Sequence, residues 1–386
     1  MNNITTQIIP IKTLPSGEEL NLKVIRIKGS QKGPKIHIQA SVHGAELQGN
    51  VVIYDLLKFY QENEFKGEIQ FVPVANPSAT NAKMGSYTYG RFNPITGENW
   101  NRAYEDIFNS SCQERTSSLD KFVEAVINKS DEEISSLFKD HLSLSIDQIS
   151  HQQSLYGKSE DKDLFLTLQS LASDADCVLD LHTAPVGTRY IYTAEYAKEA
   201  AKKLNFPHYI IIPNEFGKAM DEATFMPWVH LQKKLLKTGR KYNIPFQSFT
   251  LELGGEEQIS FNDSIIDSQN IINYLSTEWS MSRPLDKNST VNDQYGCLLK
   301  DYKTYYSPKG ALYDLIASPG DHLKKGEVLA KGLCFSEKVI ENLKSADELY
   351  FELKAKDDCI IINNFGTSSI PSGAEIYQVM ENVIKL

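Results

Sequence analysis

Residues 34–60 read PKIHIQASVHGAELQGNVVIYDLLKFY, and the change of rhythm inside them points to the fold. Ile36, Ile38, Ala40 and Val42 recur at period two, the spacing of a strand. Leu47, Val51, Tyr54 and then Ile53, Leu56, Leu57, Tyr60 recur at three and four, the spacing of an amphipathic helix. The break between them, Val42-His43-Gly44, carries His43 and, three residues on, Glu46. An imidazole and a carboxylate three residues apart at the C-terminal end of a strand can lean over one point and hold a divalent zinc ion. Such a pair also arises by chance in a chain of this size, so further ligands are needed before it counts.

Working outward, LKVIRIKG (22–29) reads as a strand before it, with the residues up to there as a lead-in. GEIQFVPVANPSATNA (67–82) reads as a second strand that ends at Asn76-Pro77 and passes into a loop, since proline lacks an amide donor and restricts the residue before it. Residues 83–103, rich in Gly, Asn, Pro and Thr, are expected to form a long irregular surface, the kind of segment in which function concentrates. From 104 to about 165 the chain is polar and helical in pattern, an insert with stripes in LDKFVEAVI, EEISSLFKDHL and DKDLFLTLQSLAS. ADCVLDLHTAP (175–185) is then a short apolar strand ending on His182, and period two puts Asp180 on the same face. Strands at RYIYTA, HYIIIPN and FQSFTLELGG alternate with helices through MPWVHLQKKLLKTGRKY and SIIDSQNIINYLSTEW. That alternation predicts an α/β domain over residues 1–284, a central sheet covered by helices on both faces. From 285 to 386 short strands and glycine turns take over, and a small β-rich domain is expected.

Composition narrows the function. The 386 residues carry 40 Lys and Arg against 50 Asp and Glu, a net charge of -10, which argues against a nucleic-acid partner, because phosphate binding rests on excess basic charge. No apolar run approaches a membrane span and no basic leader precedes one, so a cytoplasmic protein with a small-molecule substrate is expected; further copies of the chain remain an open partner. Cys112, Cys177, Cys297, Cys334 and Cys359 are far apart and never form a Cys-x-x-Cys pair, and they read as core residues.

The chemistry rests on four pieces: HGAE with His43 and Glu46, NWNR with Asn101 and Arg102 and with Arg91 ten residues before Asn101, DLH with His182, and LELGG with Glu252. In a parallel or mixed sheet the C-terminal strand ends line one crevice, so residues this far apart in sequence can meet there. In this order, together with the Asn76-Pro77 strand exit and the run Arg91-Phe-Asn-Pro-Ile-Thr-Gly-Glu-Asn-Trp-Asn101-Arg102, they resemble the succinylglutamate desuccinylase and aspartoacylase family. The resemblance spans about residues 23–280, and the barrel-like tail is similar to that family's C-terminal domain. It departs at Trp100, where the family usually has Leu, and at Ala103-Tyr104, where Phe-Pro is common.

The resemblance implies a zinc amidohydrolase with a carboxypeptidase-like mixed sheet, acting on an N-acylated amino acid. A metallocarboxypeptidase and a non-catalytic binder on the same scaffold are the alternatives. One zinc per chain would be held by His43, Glu46 and His182, with a fourth position open for water. Asp180 could accept from the His182 ring nitrogen turned away from the metal, or serve a neighbouring group instead. Glu252 suits a general base, its alternative being a strand carboxylate in a salt bridge. By resemblance, Arg91 takes the scissile carbonyl, and Asn101 and Arg102 take the substrate carboxylate. His37, His141, His151, His208, His230 and His322 have no partner spacing and read as structural or surface residues. The segment SPGDHLKKGEVLAKG (318–332) is similar to the hairpin of biotinyl and lipoyl carriers, but Lys324 and Lys325 fall in the turn leading into it, which favours a structural role.

Overall fold

A computed structural model describes residues 2–109, 118–154, 157–285 and 293–386. Cys112, residues 155–156 and the segment 286–292 just past the expected domain boundary lie outside the described residues. Ten strands form one mixed sheet. Its order is Asn3–Thr13, Glu19–Lys28, Lys66–Val72, Gln31–Ala40, Cys177–Ala184, Gln247–Gly255, Arg189–Ala194, His208–Ile212, Tyr295–Leu298 and Ile384–Lys385. The centre of the sheet is parallel: Lys66–Val72 and Cys177–Ala184 both run alongside Gln31–Ala40, and Gln247–Gly255 runs alongside Cys177–Ala184. All residues of Cys177–Ala184 are buried, as expected for a central strand covered on both faces.

One face packs Ile36, Ile38, Leu179, Leu181 and Phe249 against the helices Gln48–Glu62 and Phe261–Trp279, whose Val52, Leu56, Ile271 and Leu275 are buried there. The other face is covered by the insert helices, Leu119–Val126, Asp131–Ser154 and Glu160–Ala172, and by Met220–Lys237. Beyond residue 298 two smaller sheets share a core of Tyr305, Tyr313, Leu329, Ile361, Tyr377 and Val379. These sheets do not stand apart from the large one. Tyr295–Leu298 and Ile384–Lys385 complete its far edge, and Val186–Gly187, which directly follows the His182 strand, pairs with Asn363 and Asn364.

Several boundaries differ from the sequence reading for identifiable reasons. The lead-in contains an eleven-residue strand, Asn3–Thr13, at the sheet edge; its Pro10 interrupts the pattern but sits where the register shifts, as edge prolines do. The long helix starts at Met220 rather than at Met226-Pro227. There Pro227 mimics a helix start, while the true first turn is held by Glu222, whose carboxylate accepts the Ala219 amide. After Asn76-Pro77 comes a one-turn helix, Pro77–Asn81, in place of a loop: Asn76 accepts from the Ala79 amide and Pro77 occupies the first helical position. In the β-rich tail, where the sequence reading expects strands and turns, SEKVIENLKS (336–345) adds a short helix, Glu337–Glu341.

The turn at His43 is fixed from outside. Asn76 donates from its side chain to the Val42 carbonyl and from its backbone to Ser41. The Gly44 amide donates to the Gly90 carbonyl at 3.1 Å. A β-carbon on Gly44 would lie 2.1 Å from the Ala79 carbonyl oxygen, so backbone would have to move. Gly44→Ala is therefore expected to cost about 1–3 kcal/mol, the usual range for overpacking. Urea unfolding checks this; an unchanged midpoint and slope would show that the turn opens freely.

Candidate metal centre and cleft

His43, Glu46 and His182 meet at the C-terminal ends of their strands. One ligand atom from each lies within 4.8 Å of the others, and all three residues are buried. The Glu46 carboxylate is the hub: its Oε1 lies 2.8 Å from His43 Nδ1 and accepts from Arg91 at 3.0 Å, and its Oε2 lies 2.7 Å from His182 Nδ1 and accepts from the Thr183 amide at 3.2 Å. Both imidazoles thus turn Nδ1 toward a common point, and each is held from behind. His43 Nε2 contacts Asn99 Oδ1 at 2.8 Å, and His182 Nε2 contacts Asp180 Oδ2 at 2.7 Å. A metal ion fits this donor set: two nitrogens and a carboxylate converge, and the opposite ring nitrogens have acceptors that fix their orientation.

The electrostatics follow from burial. Burial opposes the charge on Glu46, but His43 and His182 outweigh it and hold the carboxyl well below its ordinary range. Burial likewise opposes charge on His182, yet Asp180 and Glu46 raise its pKa well above that of a free imidazole. For His43 burial prevails and the pKa falls.

The centre opens into a cleft of ≈ 380 Å³. Glu252 lines it, directly across from His182 on the neighbouring strand. Burial first, and then the Glu46 charge, push its carboxyl up to about 8. Among the described residues its Oε2 has no hydrogen-bond partner, and the same holds for Thr183 Oγ1 and Asn363 Oδ1, two more buried atoms on residues lining the cleft. Arg91 bridges Glu46 and Glu256, with 3.4 Å to the latter. Arg102 is exposed in the cleft, donates to the Asn101 carbonyl at 2.6 Å, and has no ion-pair partner among the described residues. Asn101 is buried, and its Oδ1 accepts from the Met220 amide at 3.2 Å, tying the irregular loop to the start of the long helix. His43, Glu46, Arg91, Asn101, Arg102, His182 and Glu252 therefore all line one cleft, and Asp180 lies behind His182.

Other members were not foreseen. Glu256, pushed up to about 7 by burial and then by Glu46, stands just after LELGG, where reading on would have found it. Asn99 lies inside the quoted NWNR run. Tyr302, Asn363 and Gln378 form a wall from the C-terminal sheet: Asn363 Nδ2 donates to Gln378 Oε1 at 2.7 Å and to the Tyr302 hydroxyl at 3.1 Å. No local pattern marks them.

Comparison with known proteins agrees with this arrangement. Residues 32–147 match the family model of the succinylglutamate desuccinylase/aspartoacylase catalytic domain. A protein provisionally named succinylglutamate desuccinylase/aspartoacylase from Shewanella frigidimarina is 34% identical, with all of this chain and 99% of that one covered and a TM-score of 0.90. A family protein from Shewanella amazonensis is also 34% identical, with 99% and 100% covered and a TM-score of 0.88. The product-bound ectoine utilization protein EutE (DoeB) from Ruegeria pomeroyi shares the fold at 16% identity, with 98% and 95% covered and a TM-score of 0.63. No curated protein sequence matches significantly. The mixed sheet, the order of the motifs and full-length similarity at 34% identity together make this chain a member of the succinylglutamate desuccinylase/aspartoacylase family, a family of deacylases.

Proposed function

We propose that the chain is a zinc-dependent amidohydrolase. It would cleave the amide of an N-acylated amino acid, or of a similar small carboxylate-bearing amide, to a carboxylate and an amine. The observation that carries this reading is Glu252: a buried carboxyl with a pKa near neutrality and an unpartnered oxygen, in register with the His182 candidate ligand. A group poised in this way suits proton transfer at pH 7 better than structural pairing.

Zinc held by His43, Glu46 and His182 would supply Lewis acidity, polarising the scissile carbonyl and making water a better nucleophile. Glu252 takes a proton from the attacking water and returns it to the departing nitrogen as the C–O bond forms and the C–N bond breaks; the acyl part leaves as a carboxylate, and its remaining proton goes to the amine, which departs as ammonium. Arg91, already at the Glu46 end of the cleft, can donate to the carbonyl oxygen as negative charge grows on it. The guanidinium of Arg102, which has no ion-pair partner among the described residues, matches a substrate carboxylate, with Asn101 fixed beside it.

Glu252→Gln keeps the shape but removes the base, so kcat should fall by roughly 10²- to 10⁴-fold while zinc stays bound. Wild-type turnover in a metal-loaded Gln variant would place the base elsewhere. For Arg102→Ala, we expect kcat/KM on carboxylate-bearing amides to drop by an equivalent of about 2–4 kcal/mol, and amides without that group to be spared. Equal losses on both would remove the anchor role. Metal analysis should find one zinc per chain and much less in His182→Ala; a wild-type chain that takes up no transition metal would sink the proposal. A panel of N-acetyl, N-succinyl and peptide substrates separates deacylase from carboxypeptidase.

A further inference from the structure

Behind the candidate metal centre, a row of polar side chains crosses the buried face of the sheet opposite the one that packs Ile36, Ile38 and Leu179. The registers line up strand by strand: Arg26 stands opposite Gln70, Gln70 opposite His37, Gln39 opposite Asp180, and His182 opposite Glu252. Period two keeps His37 with Gln39, and Asp180 with His182, on the same side. His37, Gln39 and Asp180 are each 1% exposed or less. Burying that much polar surface is costly unless every group is paired.

The pairings have one consistent direction. Asp180 only accepts: Oδ2 faces His182 Nε2 at 2.7 Å, and Oδ1 takes Gln39 Nε2 at 3.0 Å. With its amide nitrogen committed there, Gln39 presents Oε1 to His37 Nε2 at 3.2 Å, so that ring nitrogen carries the hydrogen. His37 Nδ1 is then an acceptor, and Gln70 Nε2 donates to it at 2.8 Å while giving its other hydrogen to the Leu171 carbonyl at 2.7 Å. Gln70 Oε1 in turn accepts from Arg26 Nε at 2.7 Å. Reversing any one amide would set donor against donor or acceptor against acceptor at both ends.

We propose that Gln39 and His37 are positioning residues for the metal centre. Through Asp180 they hold the His182 hydrogen on Nε2, which leaves the Nδ1 lone pair for the ion. This rests on the zinc reading above and goes beyond it, since neither residue touches ligand or substrate. His37 suits the task because burial keeps it neutral, its pKa lowered to about 4, so its donor and acceptor ends stay distinct across the physiological range.

The test uses the full chain with selectively ¹⁵N-labelled histidine, together with zinc competition against a chromophoric chelator. In the wild type, His37 should appear as the neutral Nε2–H tautomer; the Nδ1–H tautomer would overturn the chain of bonds, whether or not metal binds. Gln39→Leu and His37→Leu should weaken zinc binding about tenfold or more, the usual effect of losing an outer partner. His37→Gln, which can still donate to Gln39 and accept from Gln70, should recover much of the loss. Ile38→Ala, on the opposite face of the same strand, controls for instability: it should lower the melting temperature yet leave zinc affinity unchanged. Leu variants that lose stability as Ile38→Ala does while binding zinc like the wild type would reduce the row to a structural role. A wild type that binds no zinc removes the metal reading and this inference with it, whereas wild-type binding that Gln39→Leu leaves intact removes this inference alone.

Discussion

The Glu46 carboxylate, 2% exposed, is the constraint around which the centre is arranged. An isolated buried carboxylate is costly enough that a protein must surround it with donors or protonate it. Here its four partners come from three parts of the chain: His43 in its own turn, Arg91 in the irregular loop, and His182 and the Thr183 amide at the end of a distant strand. Meeting that demand brings together the elements that a metal centre requires. Burial, and after it the same negative charge, raises the carboxyls of Glu252 and Glu256, so one buried acid both gathers its partners and helps tune its neighbours.

How much of this was legible in the sequence depended on whether a residue's task is local. His43 and His182 end strands whose alternation is plain, and Asp180 is related to His182 by simple period two, so the contact at 2.7 Å could be anticipated as one of its options. The edge strand Asn3–Thr13 was obscured by Pro10, and the start of the long helix by Pro227; in both cases tertiary context tolerates a proline that local rules treat as a stop. Tyr302, Asn363 and Gln378 were invisible for a different reason. Their positions in the cleft follow from the pairing of Asn363 with Gly187, a long-range contact that no period or spacing encodes.

His37 shows the limit of reading residues singly. As an isolated histidine it is a core residue, and its burial bears that out. Only the register that sets it beside Gln70, with Gln39 beside Asp180, makes it part of a row reaching the metal centre. Sheet register turns unremarkable polar residues into a connected network, because strands about 4.8 Å apart place side chains within hydrogen-bond reach across the face.

The way the last hundred residues are stitched to the large sheet bears on how the chain can be divided. A fragment ending at residue 284 would retain His43, Glu46, His182 and Glu252, so a motif search would score it as complete. It would nonetheless lose the partner of Val186–Gly187 and the wall built by Tyr302, Asn363 and Gln378, and it would uncover the flank of His208–Ile212 now occupied by Tyr295–Leu298. A buried, Ile-rich strand left with an open hydrogen-bonding edge is a template for association with other chains. Solubility of the sheet and completeness of the cleft therefore depend on the same late segment, and fragments of this family chosen by motif content alone are poorly matched to the physical unit.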